Sequence, residues 1–216
     1  MGRLLFTLLL VSRITAASFG QDAQEQKAGF VSLFDGKTLS GWQGSTDGYI
    51  VEDGALVCPA DKGGNLFTTG QYGDFVLRFE FVLSPGANNG LGIRAPLEGD
   101  AAYVGMELQI LDNTAAEYAD LKPYQYHGSI YGVAAAERGH LRPVGETNRQ
   151  EVVCRGTQIT VKLNGRTIVD ADIATSIEEG TLDGRPHPGL KRERGHIGFL
   201  GHGTRVEFRN IRIKPL

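Results

Sequence analysis

Glu107, Gln109 and Arg94 are the residues through which this chain could concentrate chemistry in one place. The stretch Gly105–Asp112, GMELQILD, alternates apolar Met106, Leu108 and Ile110 with Glu107 and Gln109. A period of two is the pattern of a strand with one face in a core. The carboxylate and the amide then share the other face. Just upstream, Asn88–Arg94 (NNGLGIR) repeats the pattern, with Leu91 and Ile93 inward and Gly90, Gly92 and Arg94 opposite. If the two strands pair, one face holds a carboxylate, an amide and a guanidinium above a floor of glycines. Missing side chains leave room for a ligand. A carboxylate so placed could act as a general base, with its neighbours holding an oxygen-rich substrate. The competing reading is plain: outward strand residues are polar because water is there, and cross-strand Arg–Glu pairs are common surface features.

The elements that would position these groups are strands. Phe75–Leu83 alternates most clearly, with Phe75, Leu77, Phe79, Phe81 and Leu83 on one side and Arg78 and Glu80 on the other. Asp53-Gly54 and Asn164-Gly165 are favoured pairs for two-residue hairpin loops. In the last strand the apolar phase flips between Val206/Phe208 and Ile211/Ile213, which predicts a bulge near Arg209-Asn210. No stretch longer than about ten residues shows a helical period. About a dozen short strands predict an all-β fold, two antiparallel sheets packed as a jelly-roll sandwich, one sheet curved into a groove. Two long loops interrupt them, Asp112–Arg149 and Asp172–Arg194; loops this long in a compact domain are often functional. The first carries Tyr118, Tyr124, Tyr126, His127, Tyr131 and His140.

Within this frame Glu107 and His196 are the catalytic candidates. Arg94, Gln109, Asp112, Tyr126, His127, Tyr131 and His202 are the substrate-binding candidates. His196 and His202 share a strand parity across Gly198, so both could face the groove. Tyr126 and Tyr131, in the long loop, suit stacking on a ligand, whereas Trp42 suits the core. Three histidines with Glu107 and Asp112 carry enough donors for a divalent ion, but their spacing matches no standard site, and the metal stays unassigned. Sandwich glucanases place two catalytic glutamates at i and i+4 on one strand for double displacement. Here Leu111 stands at i+4 from Glu107, so that machinery is incomplete.

Of 216 residues, 41% are hydrophobic, 22% are charged and 30 are glycine, which suits one β domain. Residues 1–20, with Arg3, apolar Leu4–Val11 and small residues to Gly20, read as a signal peptide cut after Gly20. The apolar stretch is too short for a membrane span. Export to the periplasm or beyond is expected. Residues 21–29 read as a polar linker and 30–216 as the single domain. Removing residues 1–20 leaves 20 basic against 25 acidic residues, a formal charge of -5. That argues against a nucleic-acid partner. Cys58 and Cys154 could form a disulfide or remain two buried thiols. The oligomeric state is not readable.

The motifs FVSLFDGKTLSGWQ, VEDGALV, YGDFVLRFEFVLSPGANNGLGIRA, MELQILD, GSIYGV, ITVKLNGRTIVD and GHIGFLGHGTRVEFRNIRIKPL together resemble the 3-keto-disaccharide hydrolase family across the whole chain from Phe30. The resemblance implies a concanavalin A-like sandwich. It also implies cleavage of glycosides whose C3 hydroxyl has been oxidised to a ketone, by elimination and hydration or by net hydrolysis. That chemistry needs one base, an oxyanion stabiliser and a leaving-group acid. It suits a lone Glu107, as base or substrate anchor, with Arg94 and Gln109 on the keto oxygen or its neighbours. His127, His196 and His202 are candidates for the acid. The alternatives are a carbohydrate-binding module without turnover, because one fold serves many functions, and an extracellular structural domain.

Overall fold

The computed structural model describes residues 24–216. The signal-peptide reading of residues 1–20 lies outside them. The chain divides into a short unit ending at Val31 and a large unit, Ser32–Leu216. In the short unit, residues 24–27 form one helical turn within the segment expected as a linker.

The strands, in chain order, are β1 (Val31–Ser32), β2 (Trp42–Gly44), β3 (Ile50–Glu52), β4 (Ala55–Cys58), β5 (Gly63–Thr68), β6 (Phe75–Leu83) and β7 (Asn88–Ala95). They continue with β8 (Met106–Leu111), β9 (Thr147–Arg155), β10 (Gln158–Leu163), β11 (Arg166–Asp172), β12 (His196–His202) and β13 (Val206–Pro215). They form two antiparallel sheets. The larger sheet has eight strands, seven of them in the order β11-β10-β9-β6-β13-β4-β3, and the smaller runs β2-β5-β12-β7-β8. The all-β sandwich expected from the sequence is the fold found. No helix among the described residues is long and apolar enough to cross a membrane.

The period-2 strands bury their apolar faces between the sheets. β6 alternates strictly, with Phe75, Leu77, Phe79, Phe81 and Leu83 buried and the residues between them half-buried. Phe199 of the small sheet stacks on Phe208 of the large one at 3.7 Å between ring centres, and Phe79 meets Phe199 edge-on at 5.8 Å. Each buried phenylalanine contributes about 2–3 kcal/mol. Trp42 is buried and stacks on Phe199, as expected of a core residue. Turn chemistry also follows the sequence. Asp53 and Gly54 take φ of 49° and 76°, and Asn164 and Gly165 take 51° and 88°, the double positive φ that these hairpin turns demand. The β13–β6 register shifts between Arg209 and Arg212, with Asn210 at φ 51°, which is the expected bulge. Cys58 and Cys154 are both free and buried.

Both long loops fold into short turns of helix. One turn the sequence did not announce, α1 (Ala101–Val104), precedes β8. A second, α2 (Ala174–Glu179), lies in the later loop.

Candidate active site

β7 and β8 pair as expected, with Gly90 opposite Gln109 and Gly92 opposite Glu107. The glycine floor, however, is filled from within the protein. A side chain at Gly90 would meet Glu107 Oε1 at 1.9 Å, and one at Gly198 would meet Phe67 at 2.3 Å. Phe67, Ala95, Ala101 and Leu200 form a small apolar cluster on this face. The glycines therefore make room for neighbouring side chains, above all for Glu107 to lie flat against β7.

Glu107 is only 7% exposed, and its Oε1 is buried with no hydrogen-bond partner among the described residues. Burial, and secondarily the charge of Asp100, push its pKa up to about 7. A carboxyl poised there can take a proton at neutral pH and return it. Beside it Gln109 Nε2 donates to Asn88 Oδ1 at 2.8 Å and to the Asn89 carbonyl at 3.3 Å. Those bonds leave the Gln109 carbonyl for a ligand, while the Asn88 side chain also meets the Tyr118 hydroxyl.

Glu107, Gln109 and Asn88 share a cavity of about 350 Å³, at the small end of ligand sites of roughly 300–1,000 Å³. Asp100 and Tyr103 line it from α1 and its cap, and His202 from the end of β12. Tyr118, Gln125 and Tyr131 come from the first long loop, and Arg185 from the second. The first loop is anchored by backbone pairing to β8: Tyr131 N donates to the Glu107 carbonyl at 2.8 Å, and Gly128 N to the Gln109 carbonyl at 2.7 Å. Gln125 Nε2 donates to the Tyr131 hydroxyl at 3.0 Å. At the cavity mouth, desolvation lowers the His202 pKa while Asp100 opposes the shift, which favours the neutral imidazole.

The structure gathers Glu107, Gln109, Tyr131 and His202 and takes the other candidates elsewhere. Arg94 sits at φ 47°, where the β12–β7 register shifts, and its side chain turns off the polar face. It is 3% exposed and donates to the carbonyls of Gly73, Gly156 and Arg192 and to Asp74. It braces chain segments and does not line the cavity. His127 faces inward: it accepts from Leu111 N at 3.3 Å, bonds Gln150 at 3.1 Å and stacks on Phe81 at 5.1 Å. Burial pushes its pKa down to about 4, so it is a neutral structural group. His196 keeps the expected parity but lies at the far end of β12, roughly 20 Å from His202 at strand spacing. Its Nδ1 bonds the Thr68 carbonyl at 2.7 Å, and its ring is tilted against Phe67 at 6.3 Å.

Asp112 and Tyr126 anchor the loop and stay out of the cavity. Asp112 accepts from Gly86 N and from the Thr114 amide and hydroxyl, and the Tyr126 hydroxyl donates to the carbonyls of Tyr118 and Ala119. Of the three histidines only His202 joins Glu107, Asp112 lies apart, and no group of three or more metal-ligating side chains forms among the described residues.

Sequence reasoning missed Asn88, Asp100, Tyr103, Gln125 and Arg185. Asn88 was within reach, since it shares the parity of Gly90. Tyr103 and Arg185 carried no signal beyond their places before β8 and in a long loop.

A family model described as a 3-keto-alpha-glucoside-1,2-lyase-like domain matches residues 29–214. The chain belongs to this family. The 3-keto-disaccharide hydrolase of Bacteroides thetaiotaomicron is 25% identical over 228 residues, covering 87% of this chain and 79% of that protein. The crystal structure of a candidate glycosyl hydrolase from Parabacteroides distasonis superposes with a TM-score of 0.78 at 28% identity, over 87% of this chain and 99% of that one. A second from the same organism gives 0.77 at 24% identity, over 89% and 96%, and shares the fold. The family expected from the sequence motifs is thus the family found.

Proposed function

We propose that this protein cleaves the glycosidic bond of 3-keto-glycosides, with Glu107 as the base that removes the C2 proton. The observation that carries this reading is a buried carboxyl whose Oε1 has no partner among the described residues, its pKa pushed up to about 7, on the floor of a sugar-sized cavity. A ketone at C3 acidifies the C2 hydrogen, so a single base suffices. The enediolate that forms expels the substituent at C1 and leaves an enone, to which water can add. Arg185 is the one lysine or arginine among the described residues that line the cavity. It takes the place that Arg94 vacates, as the positive charge near the developing oxyanion. Asn88, Gln109 and His202 supply hydrogen bonds for sugar hydroxyls. Tyr131, held by Gln125, offers a ring edge or face at the wall.

The substrate class is supported by the family and by the name of the relative from Bacteroides. The reading of residues 1–20 as a leader places the mature enzyme outside the cytoplasm, in reach of exogenous glycosides. N-terminal sequencing of protein recovered from cell fractions tests that placement: an intact Met1 in the cytosol overturns it.

The activity is tested with 4-nitrophenyl 3-keto-glucoside. Wild-type protein is expected to release nitrophenol and to exchange the C2 hydrogen in D2O. An enone product marks a lyase and free 3-keto-glucose a net hydrolase. Sugar binding with neither release nor exchange would instead make it a carbohydrate-binding module.

A further inference from the structure

The elimination above needs an acid for the departing C1 oxygen, and the histidines do not supply it. Of the five histidines only His202 lines the cavity, and burial disfavours its charged form. Tyr103 is placed differently. It sits on α1, four residues before Glu107, and lines the same cavity. Its hydroxyl oxygen accepts a hydrogen bond from Arg185 Nη1, and the guanidinium carbon lies 4.1 Å from its ring centre. Arginine can only donate, so the phenolic hydrogen is not used in that contact. Among the described residues no other hydrogen-bond partner of this hydroxyl is present. A substrate oxygen could receive that hydrogen; burial raises the phenol's pKa and keeps the proton in place at rest, and the Arg185 guanidinium opposes that shift and so favours the phenolate left behind.

The ring also has a buried support. The His187 ring lies 4.7 Å from the Tyr103 ring. His187 and Asp183 side chains are 1% and 6% exposed and bond each other at 3.1 Å. Asp183 N donates to the Gly132 carbonyl at 3.2 Å, which ties the second long loop to the first. Gly132 is required there: a side chain would come within 2.5 Å of Asp183 Oδ2 and 2.8 Å of His187 Nε2. Neither residue lines the cavity, and His187 touches the tyrosine that does.

We infer that Tyr103 is the catalytic acid, giving its phenolic proton to the glycosidic oxygen as the C1–O bond breaks, and that Asp183 and His187 are positioning residues for its ring. The inference rests on the 3-keto-glycoside reading. In the step, Glu107 takes the C2 proton and the C–H electron pair forms the enediolate. Its collapse restores the C3 ketone, makes the C1–C2 double bond and sends the C1–O pair onto the leaving oxygen, which takes the Tyr103 proton. The proton on Glu107 then returns to the phenolate through water. The net change moves the C2 hydrogen to the released alcohol.

The test varies the leaving group. Tyr103→Phe removes only the hydroxyl. With methyl 3-keto-glucoside, whose alkoxide leaves poorly, it should lower kcat by about 10²-fold or more. With 4-nitrophenyl 3-keto-glucoside, whose phenolate needs no acid, kcat should be little changed, and C2 exchange in D2O should persist. His187→Gln should show the same leaving-group dependence at smaller size, with Tyr103 intact. An equal loss on both substrates, loss of C2 exchange, or no loss on either overturns the assignment of Tyr103. So does a leaving-group-dependent loss in His202→Gln instead. Wild-type protein that neither exchanges C2 nor releases either alcohol sinks the 3-keto-glycoside reading itself, and this inference with it.

Discussion

The outward faces of the two sheets look alike in sequence and behave oppositely in the fold. On the large sheet, Glu151 receives Arg78 at 2.7 Å and Lys162 at 3.0 Å, and Glu80 receives Arg149 at 2.9 Å. Burial resists ionisation of Glu151, but Lys162 and Arg78 prevail and hold its pKa below the ordinary range. On the small sheet, Glu107 has glycines where those cations would stand, and loops close over it. Its pKa rises to about 7. An acidic residue on a strand's outer face is thus a surface feature when its cross-strand neighbours are basic. It becomes a candidate for chemistry when those neighbours are glycines and a loop excludes water.

The contrast is broken most sharply at Glu107. Glu107→Gln should lower kcat on a 3-keto-glycoside by at least about 10²-fold, and thermal unfolding at pH 8 should show it no less stable than wild type, because a buried unpaired charge is gone. Equal aglycone release would remove Glu107 as the base. Arg94→Met should destabilise the fold by about 2–4 kcal/mol in denaturant titration, since three carbonyls and Asp74 lose their donor. The protein that remains folded should keep its KM, and a raised KM with unchanged stability would return Arg94 to the substrate.

Gly90→Ala should cost about 1–3 kcal/mol by overpacking against Glu107 and should shift the pH profile of kcat/KM. In the wild type, that profile should rise with pH through about 7 as Glu107 ionises. The stability contribution of Glu107 has the opposite sign. Its folded pKa lies above the unfolded value, so the contribution is full at pH below 4.5 and is lost as pH rises through about 7. Unfolding midpoints measured from pH 4 to pH 8 should show this fall in wild type and lack it in Glu107→Gln. The smallest effect belongs to the other face: Glu151→Gln should change stability by no more than about 1 kcal/mol and leave turnover unchanged.

A second contrast lies within β12. His196 and His202 share a face, yet one end of the strand closes over Phe67 and the Thr68 carbonyl while the other opens into the cavity. Parity predicts which side of a sheet a residue takes. It does not predict whether that side is covered. The same limit explains Arg94, whose left-handed φ at a register shift breaks the alternation that Leu91 and Ile93 establish. It also explains His127, which reads as a loop residue and packs on Phe81.

By itself the sequence determined the elements with local causes: the alternating β6, the Asp53-Gly54 and Asn164-Gly165 turns, the bulge at Asn210 and the face shared by Glu107 and Gln109. These follow from side-chain period and backbone freedom over a few residues, and the family motifs were legible for the same reason. Only the tertiary structure decided that Tyr103, Arg185 and His202 meet Glu107 and that Arg94, His127 and His196 do not. Closure of a cavity depends on how two long loops dock on a sheet, and that docking is set by contacts such as Asp183–His187 over Gly132, between residues some fifty positions apart along the chain.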